Sequence, residues 1–137
     1  MIAVLDSSAA LEVVLKRPGA KPITEHLLNA DWVISPTLFV SEVANAFWKY
    51  HRLAHLPLDL CEKCMDRAIA LPDDFTNETD LYREAFAMAC STNHPVYNCM
   101  YLVLTRRNNG VLLTMDRKLR NLATVLNIKC LKAEKTS

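Results

Sequence analysis

Short apolar runs alternate along the chain with longer segments of periodic apolar residues. The runs are residues 2–5 (Ile-Ala-Val-Leu), 32–35 (Trp-Val-Ile-Ser) and 111–114 (Val-Leu-Leu-Thr). Nearly continuous apolar runs of this length are typical of strands that are buried on both faces of a parallel sheet. The pattern therefore predicts three buried strands, which the segments between them would cover.

Those intervening segments have the spacing of amphipathic helices. Phe39, Val43, Phe47 and Tyr50, for example, follow one another at intervals of three and four residues, which places them on one helix face. Helices are predicted over 7–16, 21–30, 36–51, 57–71, 79–91, 96–107 and 117–126, and further short strands over 73–76 and 128–131. This order predicts one α/β domain over residues 1–137, built on a mostly parallel sheet of four to five strands. Residues 132–137 are predicted to form a frayed tail.

Composition narrows the class of protein. Hydrophobic residues make up 51% of the 137 residues, and only two residues are glycine, as expected for a compact domain with a substantial core. The apolar runs are too short to cross a membrane, and the start of the chain has no basic stretch of the kind that opens a signal peptide. Five cysteines form an odd number without the spacing of a disulfide framework. This favours reduced thiols and a cytoplasmic location.

Three carboxylates and one amide occupy positions that the predicted fold would bring to one edge of the sheet. Asp6 and Asp116 follow the first and last of the three buried strands, Glu42 lies early in the third helix, and Asn98 is in the first turn of the sixth. In open parallel sheets, ligands bind beyond the carboxyl ends of the strands. Asp6 or Asp116 alone is equally explained as the N-cap of the helix that follows it.

The combination of these residues favours a metal site. Magnesium takes few ligands from protein and keeps waters and substrate phosphates, so carboxylates from separate elements can converge on it. Such a site could activate a water for attack on a phosphodiester and stabilise the charge on the leaving oxygen. Hydroxyls at Ser7, Ser8 and Thr114 are expected nearby, where they would orient a ligand or a water. The expected Mg²⁺ or Mn²⁺ site consists of Asp6, Glu42, Asn98 and Asp116.

Glu42 shares a helix face with Asn45 and Lys49, at spacings of three and seven. Because the rest of this helix is strongly apolar, the polar stripe either meets solvent or lines a pocket. Tyr97 and Tyr101 lie one helical turn apart, and packing in the core is favoured over stacking on nucleobases.

Positive charge is concentrated near the end of the chain. Residues 85–137 contain eight Arg or Lys and two Asp or Glu. A cationic rim beside an acidic metal site suits a polyanionic substrate, because the charge attracts its phosphates. The alternative is that these bases only solvate helices. The candidate residues for binding such a substrate are Arg106, Arg107, Arg117, Lys118 and Arg120.

Four segments, in this order, resemble the PIN-domain family and, more narrowly, the VapC-type ribonuclease toxins of prokaryotic toxin–antitoxin pairs. They are 4–8 (Val-Leu-Asp-Ser-Ser), 41–45 (Ser-Glu-Val-Ala-Asn), 94–101 (His-Pro-Val-Tyr-Asn-Cys-Met-Tyr) and 113–119 (Leu-Thr-Met-Asp-Arg-Lys-Leu). The resemblance implies a three-layer α/β/α domain and a magnesium- or manganese-dependent endoribonuclease. It also implies a homodimer and inhibition by a cognate VapB-type antitoxin that reaches towards the acidic pocket.

The resemblance also implies roles for single residues. It assigns metal ligation to Asp6 and Asp116, positioning of metal or water to Glu42, and a supporting hydroxyl to Thr114. The chain departs from the family at position 98, where the family has aspartate and this sequence has Asn98. An amide offers a metal only a neutral carbonyl oxygen, so we expect Asn98 to leave folding and partner binding intact while it lowers or abolishes cleavage.

Two other classes of function stay open at this point. One is a catalytically silent module that binds antitoxin or RNA without cutting it, for which Asn98 is the argument. The other is a phosphoryl-transfer or receiver-type domain that carries phosphate on Asp6. Against the second, Ser8 stands where an Asp-x-Asp motif needs its second acid.

Overall fold

A four-stranded parallel sheet forms the middle of the fold. In this computed structural model, which describes residues 1–132, the strands lie in the order β3-β2-β1-β4 and all adjacent pairs are parallel. The strands are β1 (Ile2–Leu5), β2 (Trp32–Pro36), β3 (Asp74–Thr76) and β4 (Val111–Leu113). Among residues 1–132, the helices are α1 (Ser7–Val14), α2 (Ala20–Asn29), α3 (Leu38–Ala54), α4 (Leu58–Ile69), α5 (Tyr82–Thr92), α6 (Val96–Arg107) and α7 (Arg117–Val125), with a 3₁₀ turn over Glu78–Asp80 before α5.

Side chains that alternate along the strands fill two separate cores. Val4 and Leu112 pack on one face with buried residues of α5, α6 and α7. Leu5 and Leu113 pack on the other face with buried residues of α1, α3 and α4, and with Ile23 of α2. The period of two along a strand thus separates the helices into two layers. The predicted three-layer α/β/α architecture is confirmed.

The predicted strand over 128–131 is wrong as a strand, although it lies where a fifth strand would. Cys130 forms one parallel bridge with Leu112, supported by two backbone bonds, from Leu112 N–H to the Lys129 carbonyl and from the Leu131 N–H to the Leu112 carbonyl, each 2.9 Å long. Pairing stops there because β4 ends at Leu113. Of the predicted tail, Lys132 has no regular structure, and residues 133–137 lie outside the described part of the chain.

The register of the sheet fixes where the candidate site lies. Leu5 pairs with Leu113, and the Asp6 backbone N–H donates to the Leu113 carbonyl at 3.1 Å. The buried Ser35 hydroxyl donates to the Leu5 carbonyl at 2.7 Å. The end of β1 is therefore bonded to β4 on one side and to β2 on the other. The carboxyl ends of β1, β2 and β4 therefore open on one edge of the sheet. Within residues 1–132, we find no helix with the length and apolar character needed to cross a bilayer.

Gly110, immediately before β4, provides a test of how tightly this sheet is packed. A Cβ at Gly110 would lie 2.8 Å from the backbone carbonyl oxygen of Ile2, whereas a Cβ at Gly19 would meet only the side-chain ends of Glu12 and Met115, at 2.7 Å. Backbone cannot move aside as flexible side chains do, so we expect Gly110→Ala to destabilise the fold by about 1–3 kcal/mol. Gly19→Ala, the control, should cost clearly less. Urea unfolding measures both, and equal losses would contradict this packing.

Candidate active site

Asp6 is the centre of a hydrogen-bond network at the carboxyl end of β1. The residue is 5% exposed, and as the N-cap of α1 it accepts a bond from the Ala9 backbone N–H at 2.9 Å. The Ser8 hydroxyl donates to the same oxygen, Oδ1, at 2.7 Å, and the Thr114 hydroxyl donates to Oδ2. Donors from two distant parts of the chain therefore fix the orientation of this carboxylate.

Asp116 joins the network through Thr114. Its backbone N–H donates to the Thr114 hydroxyl oxygen at 3.0 Å, and its Oδ1 caps α7 by accepting bonds from Lys118 N–H at 2.9 Å and Leu119 N–H at 3.2 Å. The capping interpretation is thus correct for both Asp6 and Asp116. Capping uses only one oxygen of Asp116, because both bonds go to Oδ1. Its Oδ2 accepts no bond from residues 1–132 and is available to a ligand.

Glu42 is held at the same edge by a tyrosine. It is half-buried, and its Oε1 accepts a bond from the Tyr101 hydroxyl at 2.5 Å. Tyr101 is 2% exposed. One buried phenol therefore connects α6 to α3.

The role of Tyr101 was not predicted from the sequence. Its burial confirms the prediction of core packing for Tyr101. For Tyr97, which is 54% exposed, that prediction is wrong. One feature of the sequence does point to the role of Tyr101. It lies three residues after Asn98, so both residues are on the same face of α6.

Asn98 is the third residue of α6 and is half-buried. Because α6 leads into β4 through a short turn, its first residues lie at the carboxyl edge of the sheet and its last residues at the opposite edge. No hydrogen bond joins the Asn98 amide to another side chain or backbone group of residues 1–132. The amide therefore stands one helical turn from the Tyr101–Glu42 bond with its hydrogen-bonding capacity unused by the described residues.

An open cleft of about 260 Å³ adjoins Glu42. Ser7 contributes one wall, and Asn45 and Lys49 continue the α3 wall away from Glu42. The polar stripe on α3 thus lines a pocket, which was one of its two predicted interpretations. Ser8 and Thr114 contact the Asp6 carboxylate directly. Of the residues expected to support the site, Ser7 and Asn45 therefore line the cleft, and Ser8 and Thr114 belong to the Asp6 network.

Burial and mutual repulsion raise the pKa values of Asp6 and Glu42. Burial raises the pKa of Asp6 to about 6, and the negative charge of Asp116 adds to the rise, although the hydrogen bonds from Thr114, Ala9 and Ser8 oppose it. Burial also raises the pKa of Glu42, with a further contribution from the Asp6 charge. Asp6 is thus close enough to both Asp116 and Glu42 to interact with each electrostatically.

The donor set suits a hard divalent cation. Among residues 1–132, no three His, Cys, Asp or Glu side chains surround one point as a complete metal cage. Magnesium, however, is usually bound by one or two carboxylates, with waters and substrate phosphates as its other ligands. Asp6 and Asp116 are linked through one hydroxyl, and burial raises the pKa of Asp6, with a further contribution from the repulsion between the two carboxylates. A cation would relieve this repulsion, so the residues fit such an ion.

The structure separates the five candidate RNA-binding cations. Arg106 and Arg107, at the end of α6, lie at the edge opposite the acids, and both form ion pairs with Glu84, at 2.9 and 2.8 Å. Arg117 and Lys118 are exposed in the first turn of α7. Arg120 Nη2 donates to the Thr114 carbonyl at 2.9 Å. Only the three cations of α7 are placed beside the acidic site.

The fold, a four-stranded parallel sheet with helices on both faces, is PIN-like. The solved structures similar to this chain include VapC proteins. VapBC2 of Rickettsia felis, solved with a DNA fragment from the promoter, has a TM-score of 0.70 at 11% identity and covers 98% of this chain and 100% of its own. PAE2754 of Pyrobaculum aerophilum has a TM-score of 0.68 at 19% identity, with coverages of 88% and 86%. VapC20 of Mycobacterium tuberculosis, a toxin that cleaves the sarcin–ricin loop, has a TM-score of 0.63 at 12% identity, with coverages of 88% and 94%.

A sequence relative points to the same group. Ribonuclease VapC3 of Pyrobaculum aerophilum is 28% identical over 120 residues, which cover 85% of this chain and 90% of the relative. No protein-family model matches the chain. The resemblance to VapC-type PIN-domain proteins that the four sequence motifs predicted is therefore confirmed over nearly the whole chain.

The raised pKa of Asp6 predicts an unusual pH dependence of stability. The pKa of Asp6 is about 6 in the folded state, against 3.8 when exposed. The contribution of protonated Asp6 to the free energy of unfolding is therefore fully present below about pH 4 and is lost as the pH rises through about 6. This loss amounts to about 3 kcal/mol. In EDTA at about pH 7.5, Asp6→Asn should therefore raise the melting temperature by several degrees, because the buried charge is gone.

The same pair of proteins at low pH is the control. Below about pH 4 the wild-type carboxyl is protonated in both states, so the advantage of Asp6→Asn should disappear. A variant that is less stable than wild type at about pH 7.5, or an advantage that does not depend on pH, would show that the charge of Asp6 is well compensated.

Proposed function

We propose that this protein is a VapC-type toxin, an endoribonuclease that depends on Mg²⁺ or Mn²⁺ and hydrolyses phosphodiester bonds of cellular RNA. The observation that carries the proposal is the buried Asp6 carboxylate, held by Ser8 and Thr114 next to two further acids. The relative named ribonuclease VapC3 supports the same activity. Homology to a ribonuclease favours RNA over other phosphodiesters as the substrate.

In this proposal Asp6 and Asp116 would hold the cation, with further oxygen ligands available from Glu42 and the Asn98 carbonyl. When bound, the cation would activate a water and neutralise charge on the phosphate. Glu42, whose pKa is raised by burial, orients the attacking water and accepts a proton from it more readily than an ordinary glutamate. Tyr101 keeps the carboxylate of Glu42 at the required position.

We also propose a VapB-type antitoxin as the partner and a homodimer as the assembly. Support for the antitoxin comes from VapBC2, a similar fold that was solved as a toxin–antitoxin complex. The cytoplasm is the proposed location, and the free thiols at all five cysteines suit its reducing environment.

A silent binding module is the second candidate, and Asn98 is the observation that favours it. Asn98 lies one helical turn before Tyr101 on α6, so it shares a helix face with the tyrosine that bonds to Glu42. An aspartate there would add a fourth carboxylate to the proposed site, and it would also interact favourably with the amino end of the helix.

The test is Asn98→Asp, assayed for cleavage of total RNA with Mg²⁺ or Mn²⁺. The added carboxylate should strengthen metal binding, so we expect the cleavage rate to rise by about tenfold or more, equivalent to about 1.4 kcal/mol. Asn109→Asp is the matched control, since Asn109 is exposed in the turn at the opposite edge of the sheet. Equal rates for wild type and Asn98→Asp would refute the role given to position 98.

Tyr101→Phe tests whether the phenol positions Glu42. The ring fills the core in both forms, so the fold should persist, while kcat should fall by about tenfold because Glu42 loses its only side-chain donor among residues 1–132. In the Asn98→Asp background, a Glu42→Gln variant should show almost no further loss when Tyr101→Phe is added. Tyr97→Phe is the control on the exposed face of α6. Independent, additive losses at positions 42 and 101 would contradict a shared role.

A further inference from the structure

A second cleft lies beside the acidic site and is lined by cations. It has a volume of about 460 Å³ and lies between α7 and the segment that follows it. Its polar lining consists of Arg120, Asn121, Thr124, Asn127, Lys129 and Lys132. Three of these six residues carry a positive charge, and none carries a negative charge.

The pairing beside β4 places one end of this cleft at the catalytic edge. Cys130 pairs in parallel with Leu112, so the segment that contains Lys129 and Cys130 runs beside β4 in the direction of its carboxyl end. Thr114, whose hydroxyl bonds to Asp6, comes directly after β4. The cleft therefore opens at the same edge of the sheet as the carboxylates, on the outer side of β4.

Arg120 connects the cleft to the acidic site. Its Nη2 donates to the Thr114 carbonyl, so one threonine separates this guanidinium from the Asp6 carboxylate. Its Nε is buried and has no acceptor among residues 1–132, whereas buried donors in proteins nearly always have one. Within that part of the chain, no carboxylate forms an ion pair with Arg120, Lys129 or Lys132. The positive charge of the cleft is thus not neutralised by these residues.

The chemistry of the lining identifies the ligand as a phosphate-rich chain. Lysines and an arginine bind phosphate oxygens by charge, and asparagine and threonine side chains contact phosphate and sugar oxygens. Arg117 lies one turn before Arg120 and Asn121 on α7, so it extends the same helix face towards Asp116. A strand of phosphates along this face would pass directly from the cations to the carboxylates.

We propose that this cleft is a binding subsite for the RNA backbone, in which Lys129 and Lys132 contact phosphates next to the bond that is cut. The inference rests on the proposed ribonuclease function. It assigns the substrate path to the β4 side of the site, away from Arg106 and Arg107, whose charge is already paired with Glu84.

The test is the double variant Lys129→Gln/Lys132→Gln, which leaves Arg120 in place because Arg120 supports Thr114. Lys21→Gln/Lys63→Gln is the matched control: it removes the same charge from exposed lysines of α2 and α4, in the other helix layer. Binding of a fluorescent single-stranded RNA is measured by anisotropy in EDTA over a series of salt concentrations. Thermal unfolding establishes that both variants are folded.

Each lost phosphate contact should make the slope of log K against log salt concentration less steep by about 0.7, so we expect a change of about 1.4 for the cleft variant. The control should change this slope clearly less. In cleavage assays of the Asn98→Asp protein, the cleft substitutions should raise KM and leave kcat nearly unchanged, because they act on binding and not on the carboxylates.

The result can separate the subsite from the ribonuclease function. If both double variants bind RNA equally, the subsite is refuted even where the protein cuts RNA, and a protein partner becomes the better occupant of the cleft. If the cleft variant loses RNA affinity and salt dependence but no variant cuts RNA, the subsite stands and the hydrolytic function fails.

Discussion

The burial of one carboxylate organises this structure. Asp6 leaves a sheet in which its neighbours Val4 and Leu5 are completely buried, and a charge there is tolerated only with several hydrogen-bond donors. Ser8 and Ala9 supply donors from the helix that Asp6 caps, and Thr114 supplies one from the adjacent strand end. The same bonds that make the charge tolerable join β1, α1 and β4 at one point. Even so, burial keeps the pKa of Asp6 raised. A positive charge nearby would therefore stabilise the ionised carboxylate.

One buried hydroxyl group positions each of the two other acids. Thr114 accepts a bond from the Asp116 backbone while it donates to Asp6, and the Tyr101 hydroxyl joins Glu42 to α6. Each bridge comes from the buried core, so the relative positions of the carboxylates depend on how the helix layers pack. A rigid arrangement of this kind is what catalysis of a reaction at phosphate requires, since positioning and electrostatics provide most of its rate enhancement.

Charge is distributed asymmetrically around the site. The acids occupy the carboxyl edge beyond β1, β2 and β4. Lys49 lines the cleft beside Glu42, and a larger group of cations lies on α7 and the segment beside β4. Arg106 and Arg107 are close to these residues in the sequence but are carried to the opposite edge by α6. A polyanion attracted to this face would therefore meet Lys129, Lys132 and Arg120 before it reached the carboxylates.

The sequence by itself determined most of the elements and the candidate residues of the site, because hydrophobic period and chain order are local properties. The runs that became β1, β2 and β4 were evident, as were the acids after β1 and β4 and the four motifs. It could not determine whether residues 128–131 form a strand, since pairing there ends with β4 after one bridge. Nor could it show that Tyr101 holds Glu42 or that Arg106 faces away from the acids. These depend on contacts between residues about 20 to 60 positions apart, which exist only once the helix layers have packed on the sheet.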